Sequence, residues 1–136
     1  MSLLEILEEN PRLTLESFQR LQREYDLQFV ADEFTGFYKV RHTYSHMGNL
    51  FGRLAQYVQM MEDGYTDFSP NEIKEKVIPD LLVYSVWLAE EFGVTLEEAY
   101  LNRLLGNIKR LHTDKIFPEE MAQLENSITE RFRKKE

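Results

Sequence analysis

The fold is decided by residues 69–93, which read SPNEIKEKVIPDLLVYSVWLAEEFG. The opening Ser-Pro-Asn-Glu is typical of a helix start, with Ser at the N-cap, Pro at the first helical position and Glu at the third. Gly93 is the residue type that most often ends a helix, and Pro79 predicts a kink. Nearly every side of this helix is apolar over residues 77–88. We therefore expect it to be the central, most buried element of an all-α protein.

A second long helix is predicted from about Lys39 to Glu62. Apolar residues recur in it every three or four positions and fall on one stripe, namely Tyr44, Met47, Phe51, Leu54, Val58 and Met61. Residues 26–38, which include Phe29, Phe34 and Phe37, are predicted to form a loop. Shorter helices are predicted over residues 3–8, from an N-cap at Thr14 to about residue 25, from a capping box at Thr95 to residue 111, and from Pro118 onward.

Length and composition suit one globular domain, since the chain has 136 residues and 43% of them are hydrophobic. We predict a single bundle of four to six helices over residues 1–136. Residues 1–13 form a short N-terminal extension, and residues 118–136 form a C-terminal helix with a charged tail. A helix that is apolar on nearly every side can be covered by its chain neighbours, but in so small a domain a second copy of the chain is an easy way to cover it as well. This predicts a homo-oligomer, a dimer or tetramer, in which dimerisation completes the bundle.

Composition also excludes some partners. The chain carries 16 Lys and Arg against 24 Asp and Glu, and its formal charge of −8 repels nucleic acid and anionic lipid. The longest mostly apolar run, residues 81–89, is far shorter than the ~20 residues of a membrane span. The chain has no cysteine and needs no disulfides, which suits a reducing compartment. We expect no nucleic acid partner, no membrane association and a cytoplasmic location.

Three stretches carry a resemblance to a known family. Residues 15–22 read LESFQRLQ, residues 49–55 read NLFGRLA, and residues 78–94 read IPDLLVYSVWLAEEFGV. The third stretch is followed by LEEA at 96–99 and NIKR at 107–110. Together they resemble the MazG-like, all-α superfamily of nucleoside triphosphate pyrophosphohydrolases. The third stretch is the most specific, because it follows the family's D-x-x-x-Y-x-x-x-L-A-x-x-x-G-(I/V)-x-L-E-E-A pattern.

The resemblance implies hydrolysis of a nucleoside triphosphate to the monophosphate and pyrophosphate, with Mg²⁺ held by carboxylates. Four of the five acidic positions of the family are replaced here, by Asn49, Leu50, Arg53 and Val77, and only Asp80 remains. A hard cation needs several carboxylate oxygens, and an arginine repels it. We therefore expect impaired catalysis and assign no catalytic residue. Mg²⁺ is the expected cofactor if the protein is active, and otherwise we expect none.

The polar residues around the replaced carboxylates allow interactions other than Mg²⁺ binding. His42, His46, Asn49 and Arg53 follow one another at four, three and four residues, so they share one stripe of their helix. One hypothesis pairs Arg53 with Asp80 as a structural ion pair that replaces the metal. A second hypothesis makes His42, His46 and Asp80 ligands of a transition metal. A third makes the histidines ordinary hydrogen-bonded residues of the bundle.

Nucleotide binding is implied by the resemblance at Tyr84, Asn107 and Arg110, and Arg53 is the fourth candidate for contact with a phosphate. Each has a structural alternative. Tyr84 can pack in the core with its hydroxyl bonded, and Arg110 can simply favour the end of its helix. A nucleoside triphosphate is thus one candidate ligand.

Three functions stay open at this point. The first is a catalytically silent MazG-like protein that acts as a nucleotide-binding or protein-interaction module. The second is an active pyrophosphohydrolase with a rearranged metal site that recruits some of Glu72, Glu75, Glu90 and Glu91. The third is an oligomeric scaffold without a small ligand.

Overall fold

A computed structural model describes residues 2–30, 35–65 and 69–133. These ranges form α-helices and contain no β-strand, which confirms the predicted all-α helical bundle. The chain divides into two compact units, residues 1–93 and residues 94–136. In chain order the helices are α1 (Leu3–Glu9), α2 (Leu15–Phe29), α3 (Gly36–Glu62), α4 (Ile78–Glu91), α5 (Leu96–Leu111) and α6 (Pro118–Arg133).

Side-chain caps begin the first two helices. Ser2 and Glu5 form a reciprocal capping box at α1, in which Oγ of Ser2 accepts from the Glu5 N–H at 3.1 Å. Thr14 caps α2 as predicted, because its Oγ1 accepts from the Ser17 N–H at 3.1 Å. Ser17 Oγ accepts in return from the Thr14 N–H at 2.7 Å. Each cap satisfies N–H groups that a helix start leaves unpaired, so local sequence determines both starts.

The predicted loop over residues 26–38 is wrong at both ends. α2 continues past Tyr25 to Phe29, and the two rings lie 5.2 Å apart. Aromatic pairs one turn apart stabilise a helix, so these two residues extend α2 instead of ending it. α3 begins already at Gly36. Phe34 lies outside the described residues.

Only one half of the predicted capping box forms at the start of the helical stretch that leads into α4. Oγ of Ser69 accepts from the Asn71 N–H at 3.3 Å. The Glu72 carboxylate does not complete the box, because it accepts instead from the Arg53 guanidinium at 2.8 Å. The predicted reciprocal box is therefore wrong at Glu72, and this residue joins the helix start to α3.

A π-helical segment, Ile73–Val77, directly precedes α4, and the Ile78 N–H donates to the Ile73 carbonyl across the widened turn. Pro79 follows in the first turn of α4. A proline has no N–H to donate, and its ring crowds the carbonyl four residues earlier. The wider turn relieves that crowding, while the predicted kink at Pro79 stays a prediction.

The core of the first unit lies where α4 and the π-helical segment pack against α3. Residues 77–89 supply most of its buried apolar side chains, as predicted. Ile78 and Leu82 in this stretch are nevertheless 54% and 49% exposed, so the helix is covered on only part of its circumference. The buried apolar residues of this unit are Ile6, Leu50, Val77, Val86, Trp87 and Ala89.

The apolar stripe of α3 does not face this core. Tyr44 is 78% exposed, Phe51 54%, Val58 48% and Met61 54%. Leu50, on a neighbouring side of the same helix, is buried. The long helix therefore has two apolar sides, of which the more regular one is in contact with solvent.

In the second unit α5 and α6 pack against each other. Ile128 of α6 is buried, and Lys109 Nζ bonds the Glu125 carboxylate at 2.7 Å. Thr95 occupies the N-cap of α5 without a side-chain hydrogen bond to the helix, so the predicted capping box is wrong there. Within the described ranges, no helix combines the length and hydrophobicity that crossing a membrane requires.

Candidate functional site

Two histidines of α3 lie against two aromatic residues of α4. The His42 ring stacks on Trp87 with 5.7 Å between centroids, and the His46 ring stacks on Tyr84 at 5.3 Å. The two histidine rings are 4.3 Å apart, one helical turn along α3. Tyr84 and Trp87 meet edge to face at 5.7 Å. These four rings form one continuous group, which we call the aromatic cluster.

The surroundings of His42 and Tyr84 in the aromatic cluster favour the neutral forms of these two side chains. Burial lowers the pKa of His42, and the nearby His46 lowers it further through charge repulsion. Burial raises the pKa of the Tyr84 hydroxyl, and the Asp80 carboxylate one turn earlier raises it further. Burial and like charge both oppose ionisation, so His42 and Tyr84 share the same physical cause of their shifts.

The predicted transition-metal ligands are only partly assembled. The rings of His42 and His46 lie 4.3 Å apart. In the described part of the chain, no three His, Asp or Glu side chains form a group that could hold one metal ion. Protein metal sites commonly use three or four side-chain ligands. The histidine pair offers two nitrogen donors, and the three-ligand site stays a prediction.

Of the five positions at which the sequence resemblance implies carboxylates, only Asp80 holds one. Leu50 and Val77 are 5% and 1% exposed and belong to the core. Arg53 is ion-paired with Glu72 at 2.8 Å. Asp80 is exposed. Mg²⁺ requires several oxygen ligands around one point, so this set of side chains does not fit it.

The predicted ion pair between Arg53 and Asp80 is wrong. Arg53 takes the carboxylate of Glu72 instead, and Asp80 makes no ion pair with any residue in the described ranges. The physical reason is that Glu72 is left out of the helix cap, which makes its carboxylate available to the long Arg53 side chain. The side chains of this pair are 39% and 48% exposed, so it contributes at most about 1 kcal/mol.

A polar network that sequence reasoning missed joins α2 to α4. Glu90 Oε1 accepts from Gln19 Nε2 at 2.8 Å and from Arg23 Nη2 at 2.8 Å, while Oε2 accepts from Arg23 Nε at 3.0 Å. Burial raises the pKa of Glu90, but these hydrogen bonds outweigh it and the pKa is lowered overall. The available signal was the spacing of Gln19 and Arg23, which places both on one side of α2. Glu72 and Glu90, both considered for a rearranged metal site, thus have cationic partners.

Asp26 of α2 lies beside this network. Burial raises its pKa, and the hydrogen bond from Gln22 at 2.9 Å only partly offsets that rise. Trp87 and Lys39 lower it slightly. Nε1 of Trp87 is buried without a hydrogen bond of standard geometry. Nζ of Lys39 also lies 5.6 Å from the Trp87 ring, which allows a cation–π contact.

The other two predicted nucleotide-binding residues lie together in the second unit. Arg110 Nη2 donates to Asn107 Oδ1 at 3.4 Å within α5. Arg110 is exposed in the last turn of the helix, where a positive charge interacts favourably with the helix dipole. A role of either residue in nucleotide binding stays a prediction.

A regular exposed apolar surface of the first unit runs along α3. We define the α3 stripe as Val40, Tyr44, Met47, Phe51, Leu54, Val58 and Met61. Its first half borders a groove of about 300 Å³ that is lined by Val40, Tyr44, Met47, Gly48, Phe51 and Leu88. A contiguous apolar surface of this kind is typical of a contact surface for another protein.

Comparisons of the chain with protein-family models, with curated proteins and with solved structures found no match. Function is therefore inferred from the side chains themselves. Two features are available for that purpose, the aromatic cluster between α3 and α4 and the exposed α3 stripe.

Proposed function

We propose that this chain is a catalytically silent protein of the MazG-like type, and that it acts as a protein-interaction module. Its contact surface is the α3 stripe. The observation that carries the proposal is the exposure of this regular apolar face on the longest described helix, with Tyr44 78% and Phe51 54% exposed.

Catalytic silence is supported by what fills the space between α3 and α4. Leu50 and Val77 are core residues, so metal-binding carboxylates at these positions would have to be buried among apolar side chains. Arg53 adds a fixed positive charge beside them, and Glu72 neutralises it. The replacements therefore form an apolar and charge-balanced contact between the helices instead of a cation site.

The groups proposed for nucleotide binding have partners inside the protein. Arg53 is paired with Glu72, and Tyr84 stacks on His46. Arg110 bonds Asn107 in the second unit. A phosphate or a base would have to displace these contacts, so protein interaction is the better supported of the two roles.

Two measurements test the proposal. Pyrophosphate release is assayed with a panel of nucleoside triphosphates and Mg²⁺ or Mn²⁺, and thermal unfolding is followed with the same ligands. We expect no release above a protein-free control and no ligand-dependent stabilisation. Release that disappears in Asp80→Ala would show a working enzyme and overturn the proposal.

The interaction role is tested separately through the mass of the protein in solution. We expect wild type to associate, and Phe51→Glu to remove that association, because a charge in the middle of an apolar contact is costly to bury. Phe117→Glu is the matched control, since Phe117 is 77% exposed and lies outside the α3 stripe. Equal behaviour of the two variants contradicts the role of the stripe.

A further inference from the structure

The spacing of the α3 stripe is that of a coiled-coil seam. From Val40 to Met61 its members follow one another at alternating intervals of four and three residues. Such a strict repeat gives the narrow seam through which two long helices pack, and a core-facing helix usually has a broader apolar face. The seam spans three heptads, roughly 30 Å of the helix.

One edge of the seam carries residues that are either small or oppositely charged. At seven-residue intervals this edge holds Arg41, Gly48, Ala55 and Glu62. Arg41 and Glu62 are exposed, and neither makes an ion pair within residues 2–30, 35–65 or 69–133. A side chain at Gly48 would meet no atom within 4 Å, so packing inside the single chain does not require a glycine there. The small middle of this edge allows another backbone to approach closely.

Orientation follows from these charges. If two copies of α3 pack in parallel, this edge faces the other edge of the partner's seam, which holds Thr43, Leu50 and Tyr57, so neither Arg41 nor Glu62 gains an ionic partner. In an antiparallel pair, the register that packs Phe51 against the partner's Leu54 also packs Tyr44 against the partner's Met61. The same register places Arg41 beside the partner's Glu62, and Gly48 beside the partner's Ala55. The antiparallel arrangement therefore pairs apolar with apolar, small with small and oppositely charged residues in a single register.

We infer that the α3 stripe binds the α3 stripe of a second copy of this chain in antiparallel orientation, with two symmetric ion pairs between Arg41 and the partner's Glu62. The inference rests on the proposed function, and it names the partner and the geometry of that contact. The groove beside Leu88 receives part of the partner helix, since its lining contains Tyr44, Met47 and Phe51 of the seam.

A charge exchange tests the orientation. Arg41→Glu and Glu62→Arg each turn two attractive contacts of the dimer into repulsive ones, and we expect each to raise the dissociation constant about tenfold in sedimentation measurements. The double variant places opposite charges together again only in an antiparallel pair, so its dissociation constant returns close to that of wild type. Arg103→Glu, an exposed arginine of α5, is the control and leaves the constant unchanged.

Cross-linking provides an independent readout, because the chain contains no cysteine of its own. Arg41→Cys and Glu62→Cys are purified separately and oxidised alone or as a mixture. We expect a disulfide-linked dimer in the mixture and none in either variant alone. Absence of a linked dimer in the mixture, or equal cross-linking of each variant alone, would refute the inference.

The outcomes separate this inference from the proposed function. If Phe51→Glu dissociates the protein but the double charge variant stays as weak as the single ones, the α3 stripe is an interface and the antiparallel pairing is refuted. A wild-type chain that sediments as a monomer at every concentration refutes the self-pairing. Pyrophosphate release refutes catalytic silence whatever the state of association.

Discussion

The substitution Glu90→Ala removes the carboxylate that joins α2 to α4, and we expect it to lower the free energy of unfolding by about 2 kcal/mol. Two of the three lost hydrogen bonds come from Arg23, whose side chain is 51% exposed, so together they contribute about 1 kcal/mol. The third comes from Gln19, which is 6% exposed and loses this acceptor in a buried position, at a cost of about 1 kcal/mol or more.

Urea unfolding at neutral pH measures this loss. Glu91→Ala is the matched control, since Glu91 is the next residue of the same helix and no hydrogen bond involves its carboxylate in the described ranges. We expect the control to change stability by less than about 0.5 kcal/mol. Equal losses in the two variants would refute the view that the Glu90 network stabilises the helix packing.

The stability that is lost in Glu90→Ala also depends on pH, in a defined direction. The pKa of Glu90 in the folded protein lies below its ordinary value of 4.5, so folding favours the ionised carboxylate. Its contribution is fully present above that ordinary value and is lost as pH falls through the lower folded pKa. The stabilities of wild type and Glu90→Ala should therefore converge as the pH falls through the lowered folded pKa of Glu90, while their difference stays constant toward neutral pH.

Three further outcomes are expected. Leu50→Ala should reduce the free energy of unfolding by about 3 kcal/mol in the same urea assay, because it leaves a cavity in the core; a loss below about 1 kcal/mol would show that the site is loosely packed. Asp80→Asn should lower the pKa of Tyr84 toward its ordinary value in a spectrophotometric titration, since it removes a negative charge beside the hydroxyl, and an unchanged titration would place that charge too far away. His46→Gln should raise the pKa of His42, as followed by NMR of the imidazole protons, because it removes the neighbouring positive charge; a fall in that pKa would contradict the assignment.

Helix existence was predictable from local chemistry, and so were several helix ends, since α3 ends at Glu62 and α6 begins at Pro118 as predicted. Thr14 begins α2 because its hydroxyl satisfies a free N–H, and the sequence contains everything that this contact needs. Thr95 has the same residue type in the same position but makes no such bond. The end of α2 depended on a contact between Tyr25 and Phe29 that adds a turn.

The candidate site was less accessible to sequence reasoning because its contacts join distant parts of the chain. Glu90 and Gln19 are 71 residues apart, and no local pattern indicates their contact. Periodicity likewise identified the stripe on α3 but could not say which side of the helix faces the core, since Leu50 and Phe51 are both apolar. The partner of Arg53 was misassigned for a related reason, as two carboxylates competed for one guanidinium.

The π-helical turn at Ile73–Val77 has a consequence for how this chain tolerates changes in length. A π turn contains one residue more than an α turn, so deleting a single residue there would leave an unbroken α-helix. That regular helix would be rotated by roughly 100° on its N-terminal side. Glu72 would swing away from Arg53, while Asp80 and every residue after it would keep their places. The extra residue thus determines which way the side chains at the beginning of this helical stretch point relative to those of α4.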